Sequence, residues 1–276
     1  MTAQPTTAAA REGQGRVAAN ETPVAGLWRL RIEVALPWGP PEPGQFVQLA
    51  SGEPEAWRLR RPFSLAGWRE GGDRGILEIV YAPVGTETSR MTRLAAGETV
   101  SLCGPLGTGF SVHLGRRAVL VGGGRGVAPL LYLAERISAA GHDGLLLYGF
   151  RSADLRWPGE PALPLLEASD DGSHGMKGTV LDLLEDLASR GRIDPARDAL
   201  YACGPTAMLR VVARWASGRS YPLQTSLETH FGCGFGICAG CAVPVAGGRG
   251  FETYALACRR GPVFAAEEVD WNALVE

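Results

Sequence analysis

Four cysteines near the C-terminal end constrain this 276-residue chain more than any other feature. Cys233, Cys238 and Cys241 stand in the stretch Phe231-Gly-Cys-Gly-Phe-Gly-Ile-Cys-Ala-Gly-Cys, a C-x4-C-x2-C spacing, and Cys258 follows after sixteen further residues. That is a ligand spacing used for a 2Fe–2S cluster, which is held by four thiolates and passes single electrons. Three ligands must then come from one tight loop. Gly232, Gly234, Gly236 and Gly240 supply it, letting the backbone wrap closely with its N–H groups turned inward. Two other uses of the thiols stand beside this one. Structural zinc favours paired C-x2-C knuckles, and only one such pair is present here. A disulfide framework belongs to small secreted domains, and no secretory signal is visible. Cys103 and Cys203 lie far from the loop and are not assigned as ligands.

Charge narrows the partners. The net charge is −2 with no basic stripe, which argues against nucleic acid. No run of eighteen apolar residues is present to span a membrane. The first residues are rich in Ala, Thr, Gly and Gln and lack the apolar centre of a signal peptide, so residues 1–22 are expected to form a disordered tail. A cluster-bearing chain without a leader is expected in the cytoplasm.

Residues 23–114 carry short alternating segments, Leu27-Trp-Arg-Leu-Arg-Ile-Glu-Val, Gly44-Gln-Phe-Val-Gln-Leu and Ile76-Leu-Glu-Ile-Val-Tyr, broken by Pro and Gly clusters. This pattern predicts a small antiparallel β-barrel. Residues 115–219 alternate buried strands with amphipathic segments over Val127–Ala140, Thr179–Arg190 and Thr206–Ala216, the last with Thr206 as N-cap. They predict a doubly wound parallel sheet with crossover helices. Residues 220–276 form the cysteine module. The fold class is therefore multidomain, α/β plus β.

Two motifs give these domains chemistry. Arg61-Pro62-Phe63-Ser64 has the R-x-x-S form in which a fixed arginine fork meets a flavin pyrophosphate and a hydroxyl meets the ring. Tyr81, at a nearby strand end, is placed to stack, and Gly85-Thr86 and Thr88 are placed to meet a phosphate. A plain strand entry with a surface arginine is the alternative. Gly122-Gly123-Gly124-Arg125-Gly126 joins a strand to a helix, which aims backbone N–H groups and a helix N-terminus at a dinucleotide pyrophosphate. Val127 replaces the third Gly of the Rossmann fingerprint, and Arg151, rather than an acid, follows the second strand, so a 2′-phosphate stays open. The alternative is a glycine turn that serves packing alone. Cys203-Gly204-Pro205 ends a later strand, where open parallel sheets bind ligands, and Cys203 is the candidate catalytic thiol. Its alternative is a small buried residue.

In order, these motifs resemble the ferredoxin-NADP reductase superfamily. More closely, with Gly261-Pro-Val-Phe after the fourth cysteine, the chain resembles the electron-transfer subunits of NAD-dependent dihydroorotate dehydrogenases. The resemblance implies FAD held by Arg61, Pro62, Phe63, Ser64, Ile79, Val80, Tyr81 and Gly85-Thr86 or Thr88. It implies NAD at Gly122, Gly123, Gly124, Gly126, Cys203, Gly204 and Pro205, and a 2Fe–2S cluster on the four cysteines. It further implies a catalytic partner subunit that carries FMN, in a heterotetramer. The resemblance implies FMN and NAD+ sites on different subunits, too far apart for hydride transfer, whereas single electrons can hop through a cluster. Electrons would run from the partner's FMN through the cluster and FAD to NAD+, for pyrimidine biosynthesis. A reductase serving a ferredoxin, hydrogenase or oxygenase, and a redox-sensing adaptor, are the competing readings.

Overall fold

The computed structural model describes residues 10–35, 38–51, 60–113, 115–157, 159–248 and 250–275. The loop around Trp57 lies outside them, as does Arg249 of the run Gly247-Gly248-Arg249-Gly250, which reads from the sequence as a hairpin turn. Six strands close a barrel: β1 (Arg11–Val24), β2 (Leu27–Ala35), β3 (Phe46–Ser51), β4 (Arg61–Gly71), β5 (Arg74–Tyr81) and β6 (Thr99–Leu106). They run in the order β1-β2-β5-β4-β3-β6, and a short helix α1 (Thr86–Met91) stands between β5 and β6. The alternation read from the sequence fills the interior: Leu30, Ile32, Leu49, Leu65, Leu77, Ile79, Val100 and Leu102 are all fully buried.

The expected disordered tail is corrected from Arg11 onward. β1 pairs with β2 on one side and with β6 on the other, and so closes the barrel. A closed barrel satisfies both edges of every strand, so backbone hydrogen bonds carry a segment too polar to be recognised by its side chains. Only Gly15 and Val17 of β1 are buried. A Cβ at Gly15 would come within 2.4 Å of Ile32 and 2.7 Å of Leu102, so glycine is needed where β1 crosses the packed interior. Residues 1–9 lie outside the described residues.

A second sheet follows, built from β7 (Arg117–Gly123), β8 (Gly144–Phe150), β9 (Leu165–Ser169), β10 (Met176–Lys177), β11 (Asp198–Cys203) and β12 (Leu223–Ser226). Helices α2 (Val127–Ala139), α3 (Val180–Ser189) and α4 (Thr206–Ser217) cross over between them. The strand order β10-β9-β8-β7-β11-β12 is parallel throughout, and its direction of growth reverses between β7 and β11. Helix α2 packs on one face through Leu130, Leu133 and Ile137, while α3 and α4 cover the other through Leu184 and Val212. The helix over Val180–Ser189 begins with a capping box, in which Thr179 Oγ1 accepts from the Asp182 amide and Asp182 accepts from the Thr179 amide. At α4 the cap is Pro205, not Thr206, which is the first helical residue.

The cysteine module adds a hairpin, β13 (Ala242–Pro244) with β14 (Tyr254–Leu256), and a strand β15 (Val263–Ala265). β15 pairs antiparallel with β12 and becomes the edge of the large sheet. The expected boundary at residue 220 therefore shifts. Leu223–Ser226 belongs to the sheet, and the module is tied back into it by its own tail. Further bonds join the parts: the Tyr132 hydroxyl on α2 donates to Pro41 O at 2.6 Å, and the Thr108 amide donates to Gly261 O at 2.6 Å.

Candidate functional site

All three modules meet at one cavity of about 450 Å³. The barrel contributes Arg61, Pro62, Phe63, Ser64, Val80 and Tyr81, and the sheet contributes Gly126, Pro129 and Cys203. The cysteine module and the strand end before it add Leu227, Glu228, Thr229, Phe231 and Pro262. The R-x-x-S motif opens β4, so its pleat sets Arg61 on the exposed rim and Ser64 deeper along the same strand, opposite Phe46 of β3. Among the described residues Arg61 has no ion-pair partner, which leaves its fork free for an anion. Tyr81 packs edge-on to Phe63 with ring centroids 6.1 Å apart and donates its hydroxyl to Asn20 Oδ1. Burial pushes its phenol up to about 12 against that hydrogen bond.

The two phosphate candidates on α1 separate. Gly85, Thr86 and Thr88 all line the cavity, but the Thr88 hydroxyl is engaged with the Gly85 amide and carbonyl at 3.0 Å each. Gly85 and Thr86 leave their backbone at the cavity wall. Ile79 is a correction: it is fully buried in the barrel interior and lines neither this cavity nor its neighbour, because strand alternation turns it away from Val80.

A second cavity of about 450 Å³ adjoins the first. Gly123, Gly124, Arg125, Gly126 and Pro205 line it, with Phe150 and Arg151 across from them. It sits at the C-terminal ends of β7, β8 and β11, the place where the strand order reverses and open α/β sheets bind dinucleotides. The glycines have physical reasons. Gly124 has φ +52°, and a Cβ at Gly126 would lie 2.5 Å from the backbone of Cys203. Gly122 and Gly204 do not line either cavity. They stand behind the wall, where a Cβ on Gly204 would meet Met208.

Cys203 is buried in the wall of the first cavity, held beside Ser226 by the register of β11 and β12. Burial, with the charge of Glu228 adding to it, raises its thiol to about 12. Cys203 is therefore a neutral group at the site, not a thiolate nucleophile. Sequence reasoning missed Glu228, which lines both cavities together with Arg125. It is open to the cavities yet recessed within them, so desolvation raises its carboxyl above the usual range while Arg125 opposes the shift. Its position just past the end of β12 was the available signal, since ligands sit at strand C-termini. Phe46, Leu227, Phe231 and Pro262 were missed for another reason: they reach the cavity only through packing between modules.

The four cysteines form two pairs. The amides of Cys233 and Cys238 each donate to the other residue's sulfur, at 3.4 and 3.5 Å, and the sulfurs of Cys241 and Cys258 lie 3.2 Å apart. Burial alone would raise the Cys233 thiol, but amides from Cys238, Phe235 and Ile237 directed at its sulfur bring it down to about 6. Two thiol pairs with inward amides fit the donor set of a two-iron cluster. The loop is also strained, with non-glycine Ala239 at φ 56° between the second and third cysteines. Cys241 and Cys258 are buried and Cys238 is exposed, so the loop faces outward at one end.

Comparison with known proteins agrees with this geometry. Residues 228–270 match the iron-sulfur cluster binding domain of dihydroorotate dehydrogenase B. The dihydroorotate dehydrogenase B (NAD(+)) electron transfer subunit of Geobacillus thermodenitrificans is 38% identical over 238 residues, which cover 83% of this chain and 86% of that protein. Its counterpart in Bacillus cereus strain Q1 is 34% identical over 264 residues, covering 93% and 98%. Among solved structures, one of an NADH-dependent reduced ferredoxin-NADP oxidoreductase superposes with a TM-score of 0.82 at 30% identity, covering 94% of this chain and 91% of that one. With relatives of this identity matched over most of their length, the chain belongs to the family of dihydroorotate dehydrogenase B (NAD(+)) electron transfer subunits.

Proposed function

We propose that this chain carries electrons between a dihydroorotate-oxidising partner and NAD+. The observation that carries the reading is the shared cavity: the R-x-x-S strand, the end of β11 and the approach to the cysteine loop line one space. FAD held there would supply hydride exchange with nicotinamide and single-electron exchange with a 2Fe–2S cluster. The chain's own residues do the rest. Arg61 holds the pyrophosphate of FAD, with Gly85 and Thr86 at a second phosphate contact. Ser64, Phe63 and Tyr81 border the ring. The loop Gly123–Gly126 and the N-terminus of α2 take the pyrophosphate of NAD. Cys203, neutral and buried in the wall of the first cavity, borders the nicotinamide without placing a charge where hydride passes.

The cysteine loop serves as the outer contact. Ile237 is 80% exposed and Phe235 is 45% exposed, and both lie between cluster-ligand positions. Apolar side chains displayed there fit the docking face for the FMN-bearing catalytic subunit. Among the described residues no helix is long and apolar enough to cross a membrane. We place the protein in the cytoplasm, a reducing compartment in which four cysteines remain available as cluster ligands.

The test is an anaerobic titration of the purified protein with NADH, followed by mixing with the catalytic subunit and dihydroorotate. Bleaching of flavin and iron–sulfur absorbance by NADH, and NADH formation from dihydroorotate only when both subunits are present, are the expected results. Intact flavin and cluster left unreduced by NADH would refute the reading. A second reading, a reductase for another redox partner, is favoured by two cations, Arg125 and Arg151, on the second cavity. It predicts that NADPH reduces the flavin at least as fast as NADH does.

A further inference from the structure

Strand β3 touches both redox modules. One edge pairs with the flavin-motif strand, setting Phe46 opposite Ser64 and Gln48 opposite Pro62. Its outward side chains meet the cysteine loop: the rings of Phe46 and Phe231 lie 4.7 Å apart, and Gln48 Nε2 donates to Gly232 O at 3.4 Å. Gly232 and Gly234 flank Cys233. A Cβ on Gly234, which has φ +85°, would fall 2.8 Å from Gln48 Nε2, so the loop is seated directly on this amide.

Gln48 is 1% exposed, and its Oε1 is buried with no hydrogen-bond partner among the described residues. A buried acceptor left unmatched is costly, and an apolar side chain of the same volume would pack there without that cost. An amide kept under these conditions calls for an explanation beyond packing. We propose that Gln48 is a positioning residue for the single-electron step: its carboxamide fixes the Gly232–Gly234 turn, and with it Cys233, against the strand pair that carries the flavin motif. The assignment rests on the reading that flavin and cluster exchange electrons across this contact. Cys103, opposite Gln48 on β6, is a neighbour of the contact and needs no redox role.

The test uses the full chain loaded with FAD and cluster, in wild-type, Gln48→Met and Gln48→His forms. Methionine keeps the volume and removes the donor, whereas histidine restores an N–H. In Gln48→Met, NADH should bleach the flavin at the wild-type rate. The sharing of electrons between flavin and cluster should shift by about tenfold, or ~59 mV for a one-electron centre, in a potentiometric titration followed by electron paramagnetic resonance. The visible circular dichroism of the oxidised cluster should change as well, and Gln48→His should recover both. Wild-type potential and dichroism in Gln48→Met would overturn the proposal. So would flavin and cluster reduction declining together, or loss of the cluster from both variants, since those outcomes mark a merely structural residue. If wild-type flavin is not reduced by NADH at all, the functional reading itself fails and the role of Gln48 falls with it.

Discussion

At the scale of single residues, the cavity wall sets two opposite charges to different tasks. Arg61 is exposed on the rim and unpaired among the described residues, so its guanidinium is available to a ligand. Arg61→Ala is expected to weaken FAD by about 1.5–3 kcal/mol, the scale of a charged hydrogen bond. Release of flavin fluorescence on dilution measures this, and unchanged retention would remove Arg61 from the site. Glu228 works against stability. Its folded-state pKa is raised by desolvation, so the folded state holds the proton more tightly than the unfolded chain does. Stability from this group is fully present below the unfolded pKa and is lost as pH rises through the folded one. Glu228→Gln should therefore raise the melting temperature at pH 7 and leave it unchanged in acid below the ordinary glutamate range. Equal shifts at both pH values would show that the effect is not ionisation. The place of Arg61 on the cavity wall was legible because its motif is local in the chain. Glu228 was not, because its meaning comes from two cavities that exist only after β12 is seated.

Among elements, β1 shows where sequence patterning stops being informative. The helices over Val127–Ala139 and Val180–Ser189 were read correctly because burial imposes a 3.6-residue period on them. β1 has few buried side chains and is specified instead by hydrogen bonds to β2 and β6, which leave little trace in residue types. The same holds for β15, whose three residues find a sheet edge far away in sequence. β1 also reaches the site. Asn20 Nδ2 donates to Met91 O and Leu94 O at 2.8 and 3.1 Å, anchoring the end of α1, while its Oδ1 accepts from Tyr81. Deletion of residues 1–20 is therefore expected to open the barrel and abolish FAD retention through gel filtration. A truncated protein that keeps its flavin absorbance would show that β1 is dispensable.

For the whole molecule, the three modules are joined by shared strands rather than by linkers. β3 serves the flavin strand and the cysteine loop, and β15 returns the cysteine module to the nucleotide sheet. Under the function proposed above, electrons cross a continuous protein matrix between the cavities and the cysteine loop, and the outer end of that loop meets the catalytic subunit. The sequence motifs announced each module but not their contact, since residues such as Phe46 and Phe231 are ordinary core aromatics until the modules pack. The consequence is a separation of functions that one substitution can expose. Ile237 offers its side chain to solvent, while its backbone amide donates to Cys233 Sγ at 3.3 Å. Ile237→Ser removes the apolar contact, retains the amide and adds no charge beside the thiols. NADH should still bleach flavin and cluster at wild-type rates. Binding of the catalytic subunit should weaken by about tenfold or more, equivalent to ~1.4 kcal/mol, and NADH formation from dihydroorotate should fall in parallel at limiting partner. Undiminished coupled turnover at limiting partner would place the docking face elsewhere on the molecule, whereas slowed NADH bleaching in the isolated chain would mean that Ile237 supports the cysteine loop rather than the contact.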